Sequence, residues 1–262
     1  PQHAIGGWRI AASHSDSPCW KIKADMPENE GCRRLSVEGY GGMIMASWLD
    51  RPLTVGGRVL VKTQDGVQSR LVYIDRDLLV IPSLAIHFQR DVNKGKVFNP
   101  QIDMQPLWGP AGSRTLTDLV CEELGITAEE ILDWDLQLVT RQAPVQIGPD
   151  NEYFMAPRID DLECAATTLL AFLEASGEAD SACAPVWAMF DNEEVGSSSR
   201  MGAESSFLRD VLDRILDAVP HSGQAAARAM ANSFMLSADN AHAVHPNHPE
   251  YTDCLLYTSP SP

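Results

Sequence analysis

In the second half of this chain short apolar runs alternate with amphipathic stretches of helical period, and the apolar runs stop at acidic groups. Residues 161–176 set Leu162, Ala165, Ala166, Leu169, Leu170 and Leu173 on one face at three- and four-residue spacing. That spacing predicts a helix with one buried side. Residues 186–190 form an apolar strand ending at Asp191-Asn192-Glu193-Glu194. Residues 204–219 repeat the helical pattern through Phe207, Leu208, Val211, Leu212, Ile215 and Val219, and residues 233–236 read as another strand, ending at Asp239. Near the start of the chain, residues 8–12 make one more apolar strand, which stops at Ser13-His14-Ser15-Asp16. Strands alternating with helices predict an α/β domain, a sheet covered by helices.

The middle of the chain breaks this alternation. Residues 53–62 and 69–75 are β-rich runs joined across Asp65-Gly66, a hairpin signal. A further apolar run over 78–86 leads to His87, and a Gly- and Pro-bearing stretch over 93–113 reads as loop. Thr127 to Glu130 fits a capping box that opens a short helix, and 144–150 reads as a connection. The expected organisation is therefore a discontinuous catalytic domain, residues 1–50 and 148–253, interrupted by a β-rich insertion over 51–147.

His14-x-Asp16, Glu193-Glu194 and Asp239 all follow directly on strands. In open α/β sheets ligands collect beyond the carboxyl ends of the strands, so these groups can converge on one site. The Asp160-Asp161 pair stands just before a helix, where the helix dipole also favours a carboxylate. Taken singly, each has an ordinary reading: a helix cap, a solvated loop, a satisfied histidine, a turn. Together they offer the imidazole nitrogen and carboxylate oxygens that zinc accepts at catalytic sites. Two such ions can share a bridging carboxylate and activate a water between them. A ligating His needs a partner for its other ring nitrogen, and Asp16 offers one. Paired glutamates allow one to bind metal while its neighbour takes the proton from the water.

Composition removes other readings. Against 36 Asp and Glu the chain has 20 Lys and Arg, a formal charge of -16 that disfavours nucleic acid and anionic membrane as partners. No apolar run approaches the roughly 20 residues of a bilayer span. Six cysteines without a Cys-x-x-Cys pair read as free thiols in a reducing cytoplasm rather than a disulfide framework or thiolate zinc site. Dinucleotide, phosphate-loop, Gly-x-Ser-x-Gly and His-Glu-x-x-His signatures are absent.

At these residues the chain resembles the M18 family of metallopeptidases, the aspartyl aminopeptidase and aminopeptidase I group. The matching stretches are SHSDSPCWKIK (13–23), YGGMIMASWLDRPLTVGGRVL (40–60), IPSLAIHFQRDVN (81–93), APRIDDL (156–162), DNEEVGSSS (191–199) and SFMLSADNAHAVHPN (233–247). The resemblance implies a zinc-peptidase catalytic domain with a mixed sheet and flanking helices, interrupted by a β-rich dimerisation domain. It implies that His14 and Asp239 ligate one zinc, that Glu194 ligates a second, and that Asp160 bridges them. Glu193 is then the general base and Asp16 the residue that orients His14. His87 reaches a neighbouring subunit's active site, and His242 lines the substrate pocket. The implied assembly is a homo-oligomer, a dodecamer built from dimers, acting on peptides.

The expected reaction is removal of an N-terminal residue, Asp or Glu in the aspartyl branch and a neutral residue such as Leu in the other. The site also accepts Mn or Co in place of Zn. A non-catalytic shell or cargo protein is the contrasting reading, which loss of Glu193 or of a ligand would mark. The chain opens on Pro1 and is expected to be incomplete at both ends. The family's last His ligand is expected beyond residue 250, with His245 and His248 in other roles, and the tail 254–262 matches nothing expected there.

Overall fold

The computed structural model describes residues 5–25, 28–177, 182–219 and 223–251, so the tail 254–262 lies outside the described residues. The chain divides into two compact units, one of Pro1–Ser17 with Arg158–Pro262, the other of Pro18–Pro157. Among the described residues no helix is long and apolar enough to cross a membrane.

The chain opens in the first unit with β1 (Gly7–His14). It then builds the second unit from β2 (Cys19–Asp25), β3 (Cys32–Tyr40), β4 (Leu53–Thr63) and β5 (Gly66–Tyr73), followed by α1 (Pro100–Asp103) and β6 (Leu107–Pro110). After these come α2 (Leu116–Leu124), β7 (Ile131–Thr140), β8 (Val145–Ile147) and β9 (Tyr153–Met155). Back in the first unit lie α3 (Ile159–Ala175), β10 (Cys183–Phe190), α4 (Phe207–Asp217), α5 (Gly223–Ala231) and β11 (Phe234–Ser237).

The second unit is an antiparallel sheet in the order β5-β4-β7-β2-β3-β6. Its hairpin turns at Gln64-Asp65, with Thr63 paired to Gly66. Gly66 takes a φ of 118°, open to glycine and strained for any side chain. Trp20, Leu35, Leu53, Val55, Val59, Ile81, Met104, Leu116, Leu136 and Leu138 fill the core. Helix α2 covers it with Leu116, Leu119 and Val120. A capping box between Thr115 and Asp118 starts that helix, and left-handed Gly125 ends it.

These boundaries differ from the sequence expectation of 50/51 and 147/148. Strands β2 and β3, assigned there to the catalytic half, pair instead with β7 and β6 of the antiparallel sheet. Lys21 sits opposite Gln137, a partner far along the chain that local periodicity does not identify. The expected connection over 144–150 contains β8, which pairs with β9. In the run 78–86 only Leu79, Val80 and Ile81 make bridges, and residues 82–86 are exposed.

The first unit is built on β1. Strands β10 and β11 flank it, and both run parallel to it. A strand hydrogen-bonded on both sides and covered by a helix buries most of its length, and β1 does so through Trp8, Ile10 and Ala12. Trp8, Ile10, Ala12, Ala188 and Phe190 pack with Leu212 and Leu216 of α4, and α3 lies against β1 and β10. The register sets His14 opposite Phe190 and Ala12 opposite Ser237. All three strands therefore end at one edge of the sheet.

Candidate metal centre

Beyond that edge the polar residues gather. His14 closes β1 with its ring buried, and its backbone N–H donates to Asp161 Oδ2 at 3.1 Å. Its Nε2 lies 3.2 Å from Asp160 Oδ1 and 3.6 Å from Asp239 Oδ1. Ligand atoms of His14, Asp160, Asp161 and Asp239 all fall within 4.8 Å of one another.

Each carboxylate reaches the cluster by a local device. Arg158 enters α3 in the left-handed conformation, and Asp160 and Asp161 keep non-helical dihedrals, so both side chains leave the helix axis at its first turn. The Ser17 hydroxyl donates to the Asp160 carbonyl at 2.9 Å. Asp239 follows Ala238, whose N–H donates to the Ala12 carbonyl at 2.8 Å and extends the β1–β11 ladder by one bond.

Asp16 makes contacts on two sides. Its carbonyl lies 3.1 Å and its Oδ1 3.3 Å from His14 Nδ1. Both are acceptors, so Nδ1 carries the hydrogen and Nε2 is the atom turned to the carboxylates. The same carboxylate accepts the Glu193 N–H on Oδ1 and the Glu194 N–H on Oδ2, each at 3.1 Å. One buried side chain thus ties the end of β1 to the glutamate turn. That turn is a single 3-10 turn, Glu193–Val195, bracketed by left-handed Asn192 and Gly196.

The electrostatics are those of crowded acids. For His14, burial acts to lower the pKa, but the hydrogen bond to Asp16 and the charges of Asp161, Asp16 and Asp239 win and push it up to about 9. Burial, then the charges of Asp160 and Glu193, push Glu194 up to about 7. Burial raises Glu193 as well, with Asp239, Asp16 and Asp160 adding to it and His14 acting against it. Asp160 rises through burial and the charge of Asp239. Burial and the charge of Asp161 push the nearby Cys164 thiol up to about 12, so it stays protonated.

These residues fit zinc. Ligands at ~2.0–2.2 Å in a tetrahedron stand about 3.3–3.6 Å from each other. The Nε2–carboxylate separations of 3.2 and 3.6 Å match that spacing. The proton that the acidic surroundings hold on His14 occupies the place a cation would take, and a divalent ion there relieves the mutual repulsion of the carboxylates.

Of the residues expected from sequence, His14, Asp160 and Asp239 meet directly, Asp16 stands behind His14, and Glu193 and Glu194 are joined to them through Asp16. His242 lies exposed in the coil after β11, and His87 lies exposed in a turn of the second unit. The sequence offers Asp160 and Asp161 as a pair, and the resemblance assigns a ligand role to Asp160 alone. The doublet was the only sequence signal for Asp161, and which member turns inward depends on the backbone at the start of α3.

A family model for aminopeptidase I zinc metalloprotease (M18) matches residues 2–254. The chain belongs to the M18 family. Probable M18 family aminopeptidase 2 of Clostridium acetobutylicum is 40% identical over 256 residues, which cover 94% of this chain and 58% of that protein. A chain in the cryo-EM structure of the Ape4 and Nbr1 complex is similar with a TM-score of 0.87 at 35% identity, over 96% of this chain and 53% of its own. The mApe1 dodecamer of Saccharomyces cerevisiae is similar with a TM-score of 0.78 at 28% identity, over 94% of this chain and 57% of its own. The chain thus spans between half and three-fifths of the length of these proteins.

Proposed function

We propose that this chain carries most of the catalytic centre of a two-zinc aminopeptidase that removes the N-terminal residue, Asp or Glu, from peptides. The observation that supports this best is the meeting of His14, Asp160 and Asp239 at ligand spacing, with Asp16 joining them to Glu193 and Glu194.

In this reading His14 and Asp239 would hold one zinc, Glu194 would hold the other, and Asp160 would serve both. When bound, the ions supply Lewis acidity that polarises the scissile carbonyl and lowers the pKa of water. Glu193 accepts the proton from the attacking water and returns it to the leaving amine. Asp16 holds His14 in the tautomer that leaves Nε2 as donor and fixes the turn that presents both glutamates. His242, exposed just past Asp239, lines the substrate pocket. His87 serves the site of a neighbouring subunit in a homo-oligomer that we propose is built from dimers into a dodecamer, the assembly named for the S. cerevisiae relative.

The test is release of the first residue from Glu-, Asp- and Leu-anilides by the full-length gene product, before and after chelation and zinc re-addition. Metal-restored activity on Glu and Asp is the expected result. Restored activity on Leu alone keeps the mechanism and moves the specificity to neutral residues. No activity from a folded, zinc-loaded protein overturns the enzyme reading.

A further inference from the structure

We infer that Asn240 is a positioning residue whose carboxamide clasps the loop carrying Asp239 to the helix carrying Asp160, and so sets the spacing of those two carboxylates around His14. The inference rests on the metal reading above and assigns a task to residues that touch none of the reacting atoms.

Asp160 and Asp239 come from segments far apart in sequence, and their like charges push them away from each other. The ladder between β1 and β11 ends at Ala238, one residue short of Asp239. Beyond it the chain is coil, and the Asp239 side chain is 39% exposed. What holds this loop is the next residue. Asn240 Nδ2 donates to Glu163 Oε2 at 3.2 Å, and Asn240 Oδ1 accepts the Cys164 thiol at 3.7 Å. Glu163 and Cys164 are successive residues of α3, one turn beyond Asp160.

The chemistry fixes the amide's direction. A carboxylate only accepts, so the NH2 end must face Glu163, and the thiol hydrogen then finds the oxygen end. Both ends of one amide are therefore gripped by the helix that presents Asp160. Glu163 is exposed and Asn240 partly so, and neither joins the apolar core of this unit. Loss of the clasp should release the loop without unfolding the domain.

The test uses a change of polarity. Asn240→Asp sets a carboxylate against Glu163, so the clasp becomes repulsive. Adding Glu163→Gln restores a donor–acceptor pair with the roles exchanged. Zinc affinity is measured by competition with a chromogenic chelator, alongside the thermal midpoint of the zinc-free protein. Asn240→Asp should weaken zinc binding by about tenfold to a hundredfold, with the midpoint little changed, and the double variant should recover most of that loss. Unchanged or tighter binding in Asn240→Asp, or a loss that Glu163→Gln does not relieve, overturns the clasp. A parent protein that binds no zinc overturns the metal reading itself, and that outcome is separate because it shows before any substitution is made.

Discussion

The two units solve different problems with the same chain. The antiparallel unit encloses a deep aliphatic and aromatic core, with Trp20, Leu35, Leu53, Val55, Val59 and Ile81 sealed from solvent. The parallel unit has a smaller core around Trp8 and Ile10, and its flanks stay open. Strand β11 is exposed along its whole length, and Leu170 and Leu173 of α3 and Phe207 of α4 face outward. The candidate site sits in the second kind of surroundings. It is held by directed hydrogen bonds and charge more than by apolar packing, so fold stability and site geometry should respond to different substitutions.

The largest expected effect would confine chemistry to the parallel unit. On the proposed mechanism Glu193→Gln removes the proton acceptor, and in the full-length gene product it should lower kcat by about a hundredfold to ten-thousandfold, with zinc content and thermal midpoint close to the parent. A midpoint that falls along with activity would break the separation. Next in size is a pair of truncations. Leu136→Ala empties a site that is 1% exposed and should cost about 2–5 kcal/mol in urea unfolding. Leu170→Ala, at 61% exposed, should stay within about 0.5 kcal/mol. Equal losses from the two would erase the contrast between the units.

A third substitution probes the antiparallel sheet's backbone. A methyl group at Gly57 would meet the Asp135 carbonyl of β7, and its φ of 149° is one that side chains rarely adopt. Gly57→Ala should therefore cost roughly 1–3 kcal/mol, read as a lower urea midpoint.

The smallest effect sharpens the comparison through pH. The hydrogen bond from Lys96 to Asp103 at 2.7 Å, helped by the Asn99 N–H, holds the Asp103 carboxyl below its ordinary value. A depressed folded pKa adds stability above the unfolded value near ~3.9 and loses it as the pH falls through the folded value. Asp103→Asn should cost roughly 1 kcal/mol at pH 7, and the gap from the parent should close as the solution is taken below pH ~4. A gap that persists in strong acid would assign the effect to shape and not to charge.

Sequence carried some parts of this architecture better than others. Elements whose pattern is local were legible. The helical period of residues 161–176 marks α3, although the face it picks out is not the buried one, since Leu162, Leu170 and Leu173 are exposed. The run 186–190 lies inside β10, and Asp65-Gly66 marks the β4–β5 hairpin. Elements whose identity depends on a distant partner were not. Strands β2 and β3 adjoin β1 in sequence and look like part of its domain, but their hydrogen bonds go to β7 and β6. The short β8–β9 pair is exposed on both strands, so no apolar alternation announces it. At the site, the strand ends singled out His14, Glu193, Glu194 and Asp239. Only the folded chain shows that Asp161 turns inward and that Asp16 bonds both glutamate amides, because those roles depend on backbone direction more than residue type.

Strand β1 is made before both of the strands that flank it in its sheet. His14 leaves the ribosome with no partner for its ring except Asp16, while β10 and β11 are still untranslated. At ~5–20 residues per second, the wait for Asp239 is on the order of ten to fifty seconds, and the entire antiparallel unit is synthesised in that interval. His14 is thus made long before Asp239, and the meeting of the two waits on everything synthesised between them. A translational pause after Pro157 would lengthen the life of an unpaired β1 without disturbing the unit already folded.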